Sequence, residues 1–188
     1  LLDYSAVSSE ILGIPGVYAV SPVLSFSTSI GGTRITVYGV DASTFSEVSS
    51  LTLIEGRFIS GSGEAVVGKE LADKLNLSLG SQVVIAYNTS SQSFSVVGIF
   101  EVGNPFQERA VYIPLEDAWS LTELYGYVTQ IQIKCTDPSV VSSVTESIRA
   151  LFPGIGTELG MFTPTQMLQS AARLIQSWNI FFLSIGLI

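Results

Sequence analysis

The residues that could support catalysis in this chain are serines and lysines, because the 188-residue sequence contains no histidine. A serine nucleophile needs a base, which here would have to be a carboxylate or one of Lys69, Lys74 and Lys134. The Ser-x-x-Lys and Gly-x-Ser-x-Gly signatures of serine enzymes do not occur. The sequence therefore predicts no catalytic residue, and a hydrolytic enzyme is the least favoured functional class.

Two short motifs have a structural interpretation that outweighs a chemical one. Gly61-Ser62-Gly63 lacks the third glycine of a nucleotide-binding loop and stands before a strand, so it predicts a surface loop or hinge. Glu116-Asp117 would stand at a helix N-terminus. Carboxylates there favour the positive end of the helix dipole, which explains the pair better than acid–base catalysis does.

Metal and cofactor binding have no support in the sequence. Without histidine, and with Cys135 as the only cysteine, a metal site would need oxygen ligands alone. No run of carboxylates has the spacing of a calcium-binding loop. We therefore predict no metal and no cofactor, with Cys135 as an ordinary strand residue.

The composition points outside the cytoplasm and away from nucleic acids. Sixteen acidic and eight basic residues give a net charge of -8 without a basic cluster, which disfavours nucleic-acid binding. Only 13% of residues are charged, about half the usual share, so uncharged polar residues must cover much of the surface. Two acceptor sequences for glycosylation, Asn76-Leu77-Ser78 and Asn88-Thr89-Ser90, support an extracytoplasmic location weakly.

Hydrophobic periodicity and turn residues predict an α+β fold. The elements predicted in the first half are a helix at 4–12, strands at 17–30 and 34–40 joined by a Gly31-Gly32 turn, short helical turns at 42–53, a strand at 64–68 and a helix at 69–77. Those predicted in the second half are a hairpin of strands at 82–88 and 94–100, a strand at 110–113, a helix at 115–124, a strand at 128–135, a helix capped by Asp137 and a strand at 155–162.

The end of the chain is predicted to be a helix that continues into an apolar segment. Thr163-Pro164-Thr165-Gln166 is a helix start with a cap and a reciprocal partner, and residues 174–188 carry no charge. We interpret the tail as the start of a truncated transmembrane helix, whereas a docked terminal helix or an oligomer interface is the alternative. The residues assigned to this membrane segment are Trp178, Ile180, Phe181, Phe182, Leu183, Ile185, Leu187 and Ile188.

Six short segments in a fixed order carry a family resemblance. They are Ile14-Pro15-Gly16-Val17 with Val20-Ser21-Pro22, Val37-Tyr38-Gly39-Val40-Asp41, Glu55-Gly56-Arg57-Phe58, Ala65-Val66-Val67-Gly68 with Leu71-Ala72, Leu79-Gly80-Ser81-Gln82-Val83, and Phe94-Ser95-Val96-Val97-Gly98-Ile99-Phe100. In this order the chain resembles the extracytoplasmic core domain of the MacB/FtsX family of ABC transporter permeases. The resemblance covers nearly the whole chain.

The resemblance implies a domain of two parts. Residues 1–40 and 128–162 would form a porter-like α/β subdomain, 41–127 an inserted β-rich lobe, and 163–188 a helix leading into the membrane. The motif glycines are expected to be fold determinants, at positions that need a positive φ or a close backbone approach. These glycines are Gly39, Gly56, Gly68, Gly80 and Gly98.

The resemblance also implies a non-catalytic role in transport. Members of the family use ATP hydrolysis by a cytoplasmic ABC ATPase to move this outer domain and to export or extract substrates. This chain has no Walker motif, so the ATPase would be elsewhere in the protein or on a separate subunit. The implied partners are that ATPase, the membrane, a second permease in a homodimer or heterodimer, and an adaptor or lipoprotein.

Two aromatic loops are the candidates for contact with a partner or substrate. They are Gly103-Asn104-Pro105-Phe106 and Leu124-Tyr125-Gly126-Tyr127, with Phe106, Tyr125 and Tyr127 as the candidate contact residues. Packing within the loop is the alternative role for such aromatic side chains. A secreted or membrane-anchored binding module without catalytic activity is the alternative function for the chain as a whole.

Overall fold

A computed structural model of the chain describes residues 2–49, 51–102 and 107–152. By packing, the chain divides into one unit of Leu1–Val144 and a second unit of Thr145–Ile188, of which residues 145–152 are described. The helices are α1 Tyr4–Leu12, α2 Ala42–Val48, α3 Lys69–Leu75, α4 Leu115–Thr122 and α5 Val141–Leu151. The strands are β1 Leu2–Asp3, β2 Val17–Ile30, β3 Thr33–Val40, β4 Thr52–Gly56, β5 Glu64–Gly68, β6 Gln82–Tyr87, β7 Ser90–Glu101, β8 Ala110–Pro114, β9 Tyr127–Val128 and β10 Gln130–Cys135.

Eight strands form one mixed sheet in the order β10-β2-β3-β8-β5-β7-β4, with β6 also paired to β7. The pairs β3/β8 and β5/β7 are parallel, and the other pairs in this sheet are antiparallel. The two short strands β1 and β9 pair separately. These pairings confirm the expected mixture of helices and sheet.

Two apolar clusters occupy opposite faces of the sheet. Neighbouring residues of β5 show the division, because Val67 belongs to the larger cluster and Val66 to the smaller one. Helices α3 and α4 supply Leu71 and Ala118 to the larger cluster, whereas α2 supplies Phe45 to the smaller one. The sheet is therefore covered by α3 and α4 on one face and by α2 on the other.

Several predicted boundaries were correct because local signals decide them. Gly31 and Gly32 both have positive φ, and the register across them pairs Ile30 with Thr33, as a two-residue hairpin turn requires. Asp41 caps α2 through a bond from the Ser43 N–H to its carboxylate, at 2.9 Å.

Other predicted boundaries were wrong. The helical turns expected at 42–53 end at Val48, and β4 follows, because Thr52 to Gly56 find a partner strand in β7. The loop expected after Asn88 is part of β7, which starts at Ser90 and leaves a two-residue turn. A sequence rich in serine looks like a loop, but here the neighbouring strand supplies its backbone hydrogen bonds.

The single strand expected at 128–135 is split at Thr129. The Thr129 hydroxyl donates to the Val23 carbonyl at 3.1 Å and accepts from the Ser25 N–H at 2.8 Å. The Thr129 N–H also donates to the Val23 carbonyl at 3.0 Å, so Thr129 stays bonded to β2 although β9 ends at Val128 and β10 begins at Gln130.

Some predictions fall outside the described residues. These are the strand at 155–162, the helix from 163 and, among single residues, Phe106, Trp178, Ile180, Phe181, Phe182, Leu183, Ile185, Leu187 and Ile188. Of the helices in the described part of the chain, none combines the length and the apolar character needed to cross a membrane.

Candidate functional site

Tyr125 lies on the short connection between α4 and β9, and Tyr127 is the first residue of β9; we call residues 123–127 the tyrosine loop. The two residues are 63% and 46% exposed, respectively, which is high for large aromatic residues. The structure therefore places two of the three candidate contact residues at one site on the surface. Whether they contact a partner stays a prediction, and Phe106 lies outside the described residues.

Backbone hydrogen bonds fix the shape of the tyrosine loop. Glu123 adopts a left-handed conformation with φ of 60°, and its N–H closes the end of α4 by donating to the Trp119 carbonyl at 2.7 Å. Gly126 also has positive φ, 80°. The Tyr127 N–H then donates to the Leu124 carbonyl at 3.0 Å. The loop thus makes two sharp turns, one at Glu123 and one at Gly126, and a backbone hydrogen bond lies beside each turn.

The tyrosine loop is also tied to its neighbours. The Trp119 indole N–H donates to the Tyr127 carbonyl at 2.8 Å, and the Tyr4 N–H donates to the Gly126 carbonyl at 3.1 Å. In the β1/β9 pair Asp3 lies opposite Tyr127. Because α1 and α4 both hold the loop, the two tyrosines are presented on a fixed backbone, which reduces the ordering cost of binding.

The motif Glu55-Gly56-Arg57-Phe58 is explained by an ion pair inside the connection from β4 to β5. The Arg57 guanidinium forms a bidentate salt bridge with the Glu64 carboxylate. It also donates to the Ser60 hydroxyl at 2.8 Å. The Ser60 N–H donates to the same carboxylate at 2.8 Å. These bonds, chiefly the Arg57 one, lower the pKa of Glu64 to about 2. Arg57 therefore has a structural role.

The motif glycines stand where two segments of backbone approach each other. Gly56 has φ of 71°, and a Cβ there would lie 2.2 Å from the Val97 carbonyl oxygen. A Cβ on Gly98 would lie 2.3 Å from the Arg57 carbonyl oxygen, and the Arg57 N–H donates to the Val97 carbonyl at 2.9 Å. Only glycine permits this contact.

The other motif glycines fit the same expectation. Gly39 approaches the Ala118 methyl group, Gly68 approaches the backbone of Glu108, and Gly80 has φ of 84°. The expectation of a positive φ or a close approach at each of these glycines is confirmed.

Asp117 has a role that the sequence did not reveal. It does lie in the first turn of α4, but the residue is buried, with 6% exposed. The carboxylate accepts hydrogen bonds from the Ser62 hydroxyl at 2.6 Å and from the Gly63 N–H at 2.8 Å. The Gly61-Ser62-Gly63 segment is a surface turn that is hydrogen-bonded to α4, and no short-range motif links residues so far apart.

Two of the three lysines considered for chemistry have structural contacts, and the cysteine is partly buried. Lys69 pairs with Glu101 at 3.1 Å, and Lys134 donates to the Glu47 carbonyl at 2.8 Å. Burial raises the pKa of the Cys135 thiol, which disfavours the reactive thiolate. Across residues 2–49, 51–102 and 107–152, no three potential ligand side chains cluster closely enough to hold a metal ion.

Solved structures with the same fold are outer regions of ABC transporters. The periplasmic region of MacB from Actinobacillus actinomycetemcomitans is 16% identical, with a TM-score of 0.65 over 90% of this chain and 82% of that one. The extracellular domain of the noncanonical ABC-type transporter YknZ from Gram-positive bacteria is 20% identical, with a TM-score of 0.60 over 80% of this chain and 82% of that one. The fold is therefore that of extracytoplasmic transporter domains.

The sequence itself defines the family. Residues 2–151 match the family model of the MacB-like periplasmic core domain, and the chain belongs to this family. It is an extracytoplasmic domain of a MacB-like ABC transporter permease, and no enzyme family is indicated. No protein of curated function matches the sequence.

Proposed function

We propose that this domain transmits movement between the membrane part of the permease and a substrate or partner outside, driven by ATP hydrolysis in a cytoplasmic ABC ATPase. The observation that supports this role best is the tyrosine loop, which presents two exposed aromatic side chains on a backbone held by α1 and α4. A fixed contact surface suits a domain that moves as a body. The ATPase is fused to the permease or carried on a separate subunit.

We also propose the two-part organisation that the family resemblance implies. Strands β10, β2 and β3 come from residues 1–40 and 128–162, and β8, β5, β7, β4 and β6 come from residues 41–127. The strand order supports the division, since the first group occupies one end of the sheet and the second group begins at the β3/β8 pair. The first group is the porter-like subdomain, and the second group belongs to the β-rich lobe.

In the full-length protein, we propose that two permeases form a homodimer or heterodimer and that the outer domain contacts an adaptor or a lipoprotein. Export and lipoprotein extraction both fit such an assembly. They differ in the partner that reaches the outer domain, so identifying what contacts the tyrosine loop distinguishes them.

The contact role is tested in the full-length permease together with its ATPase. The double variant Tyr125→Ala/Tyr127→Ala is compared with Tyr18→Ala, because Tyr18 is a similarly exposed tyrosine, at 56%, elsewhere on the domain. We expect the double variant to lose most transport while basal ATP hydrolysis in membranes is retained. Tyr18→Ala should transport normally. Normal transport by the double variant would contradict the contact role.

The coupling role is tested separately with a fluorescent label. Because Cys135 is the only cysteine of the domain, a Cys135→Ser background with Tyr125→Cys accepts a label at the tyrosine loop. We expect ATP to change the fluorescence emission of this label in the assembled transporter. With an ATPase variant that binds ATP but cannot hydrolyse it, the emission should no longer cycle between two values. A label insensitive to ATP would count against coupling.

A further inference from the structure

The two acceptor sequences for glycosylation both lie on the surface, each at the end of a regular element. Asn88 and Thr89 are the two residues of the turn between β6 and β7, and both are exposed. Asn76 is also exposed and ends α3. The two asparagines have positive φ, 50° and 51°, which asparagine adopts more readily than most residues. Because conformation alone explains an asparagine at either position, the accessibility of the acceptor groups must distinguish the two sites.

The acceptor sequence at Asn88 leaves its side chains available. The turn joins the two strands at the pair of Tyr87 and Ser90, and Ser90 is partly exposed. In the part of the chain that the structure describes, the side chains of Asn88, Thr89 and Ser90 make no hydrogen bond. An enzyme can therefore reach the Asn88 amide and the Ser90 hydroxyl, the two groups that define the acceptor, without breaking a side-chain hydrogen bond.

The acceptor sequence at Asn76 is held by the fold instead. Its middle residue, Leu77, packs against the larger apolar cluster, and the Leu77 N–H donates to the Ala72 carbonyl at 2.9 Å. The Ser78 N–H donates to the Ser81 hydroxyl at 3.0 Å, and the two serine hydroxyl oxygens are 3.4 Å apart. Modification of Asn76 therefore requires local unfolding, because Leu77 must leave the core and the Ser78 contacts must break.

The surface beside Asn88 is one that a glycan would protect. Residues 75–100, which include all of β6 and nearly all of β7, contain no charged side chain. Val84 on β6 is 57% exposed. Among the described strands β6 pairs with β7 alone, so β6 is an edge strand. Charged side chains often prevent edge strands from associating with other chains, and a bulky hydrophilic group at the end of β6 would have the same effect.

We propose that Asn88 carries an N-linked glycan, added outside the cytoplasm after the domain has folded, and that Asn76 stays unmodified. The donor is an oligosaccharide linked through phosphate to a membrane lipid. The Asn88 amide nitrogen bonds to the anomeric carbon of the sugar, and the bond from that carbon to the phosphate oxygen breaks. The amide releases one proton, and the lipid phosphate leaves. This proposal depends on the extracytoplasmic location of the domain and not on its proposed role in transport.

The test is mass spectrometry of the full-length permease, purified from membranes of the organism that encodes it. Trypsin and chymotrypsin place the two acceptor sequences on separate peptides, because Leu79 and Tyr87 lie between them. The variants Asn88→Gly and Ser90→Ala each remove one acceptor group, and Asn76→Gly is the matched control. Glycine adopts positive φ without strain, so the turn and the helix end are retained.

We expect the Asn88 peptide to carry the mass of an oligosaccharide and the Asn76 peptide to be unmodified. Asn88→Gly and Ser90→Ala should each abolish the added mass, because both the amide and the hydroxyl are needed. Asn76→Gly should leave it unchanged. The intact permease should lose the mass of one glycan in the first two variants and none in the third.

Two results would overturn the proposal. An Asn88 peptide without sugar, in the permease from its own membranes, would show that the accessible turn is not modified. Equal modification of Asn76 and Asn88 would show that transfer precedes folding, so the contacts of Leu77 and Ser78 would not select the site. Neither result bears on the proposed function, since peptide mass is measured rather than transport.

Discussion

The close approach of α4 to β3 at Gly39 gives the sharpest test of the fold. A Cβ on Gly39 would lie 2.2 Å from the Ala118 Cβ, whereas ordinary contacts begin at about 3.4 Å. The next neighbours, the Leu115 Cα and the Leu24 carbonyl oxygen, would both lie at 3.5 Å, which is tolerable. Gly39 does not have positive φ, so an alanine can adopt its backbone conformation. The contact of the new methyl group with the Ala118 methyl group is therefore the main cause of any loss of stability.

Gly39→Ala should push α4 away from the sheet by about 1 Å, and overpacking of this kind costs about 1–3 kcal/mol. Ala118→Gly should itself cost about 1–2 kcal/mol, through lower helix propensity and the loss of a buried methyl group. In the double variant Gly39→Ala/Ala118→Gly, the new methyl group occupies the space of the old one. We expect it to be more stable than Gly39→Ala by about 1–2 kcal/mol, although it carries a second substitution.

The measurement is urea unfolding of the unsubstituted domain, the two single variants and the double variant. Unfolding is monitored by circular dichroism and by the fluorescence of Trp119 in α4. Equal slopes against urea would show that the same surface unfolds in each, so the midpoints report the free energy of unfolding. A double variant no more stable than Gly39→Ala would refute the packing of α4 on Gly39. Destabilisation in that case would come from the β3 backbone itself.

Three further predictions concern the connection between β4 and β5. Gly98→Ala should lower the free energy of unfolding by about 3 kcal/mol or more, because its Cβ would meet the Arg57 carbonyl oxygen. Gly61→Ala is the control, since a Cβ there lies in open space and φ is not positive. In urea unfolding it should be neutral or slightly stabilising. Because the pKa of Glu64 is about 2 in the folded domain against an ordinary value of 4.5, its contribution to stability is present above pH 4.5 and is lost as the pH falls towards 2. Glu64→Gln should therefore reduce the pH dependence of the urea midpoint in that window, and an unchanged profile would count against the ion pair. Asp117→Ala should cost about 1–3 kcal/mol by leaving a hydroxyl and an N–H of the 61–63 segment unbonded. Hydrogen exchange at Gly63 should become faster, and unchanged exchange would mean that the carboxylate does not hold the segment.

Local signals in the sequence were sufficient for elements that depend on nearest neighbours. The β2/β3 hairpin follows from Gly31-Gly32, and the start of α2 follows from Asp41, because the physical cause lies within three residues in both cases. The Asp137 cap was also predicted, and the Ser139 N–H donates to its carboxylate at 2.8 Å.

Long-range pairing was what the sequence could not supply. β4 looked helical because its segment has no alternation, and only its pairing with β7, with a bulge between Leu53 and Glu55, makes it a strand. The parallel contact of β3 with β8 and the bonds from Ser62 and Gly63 to Asp117 join distant parts of the chain. The tyrosine loop was identified by composition, but its fixed shape depends on contacts to Trp119 and Tyr4 from other elements.

The family motif and the candidate contact site occupy different kinds of position. Gly56 and Arg57 act within the sheet framework, where a change alters the packing of backbone on backbone. Tyr125 and Tyr127 lie outside the eight-stranded sheet and are exposed, so we expect their replacement to leave that framework intact. Since a shared fold does not determine what a domain binds, the motif accounts for the architecture and does not by itself identify a partner.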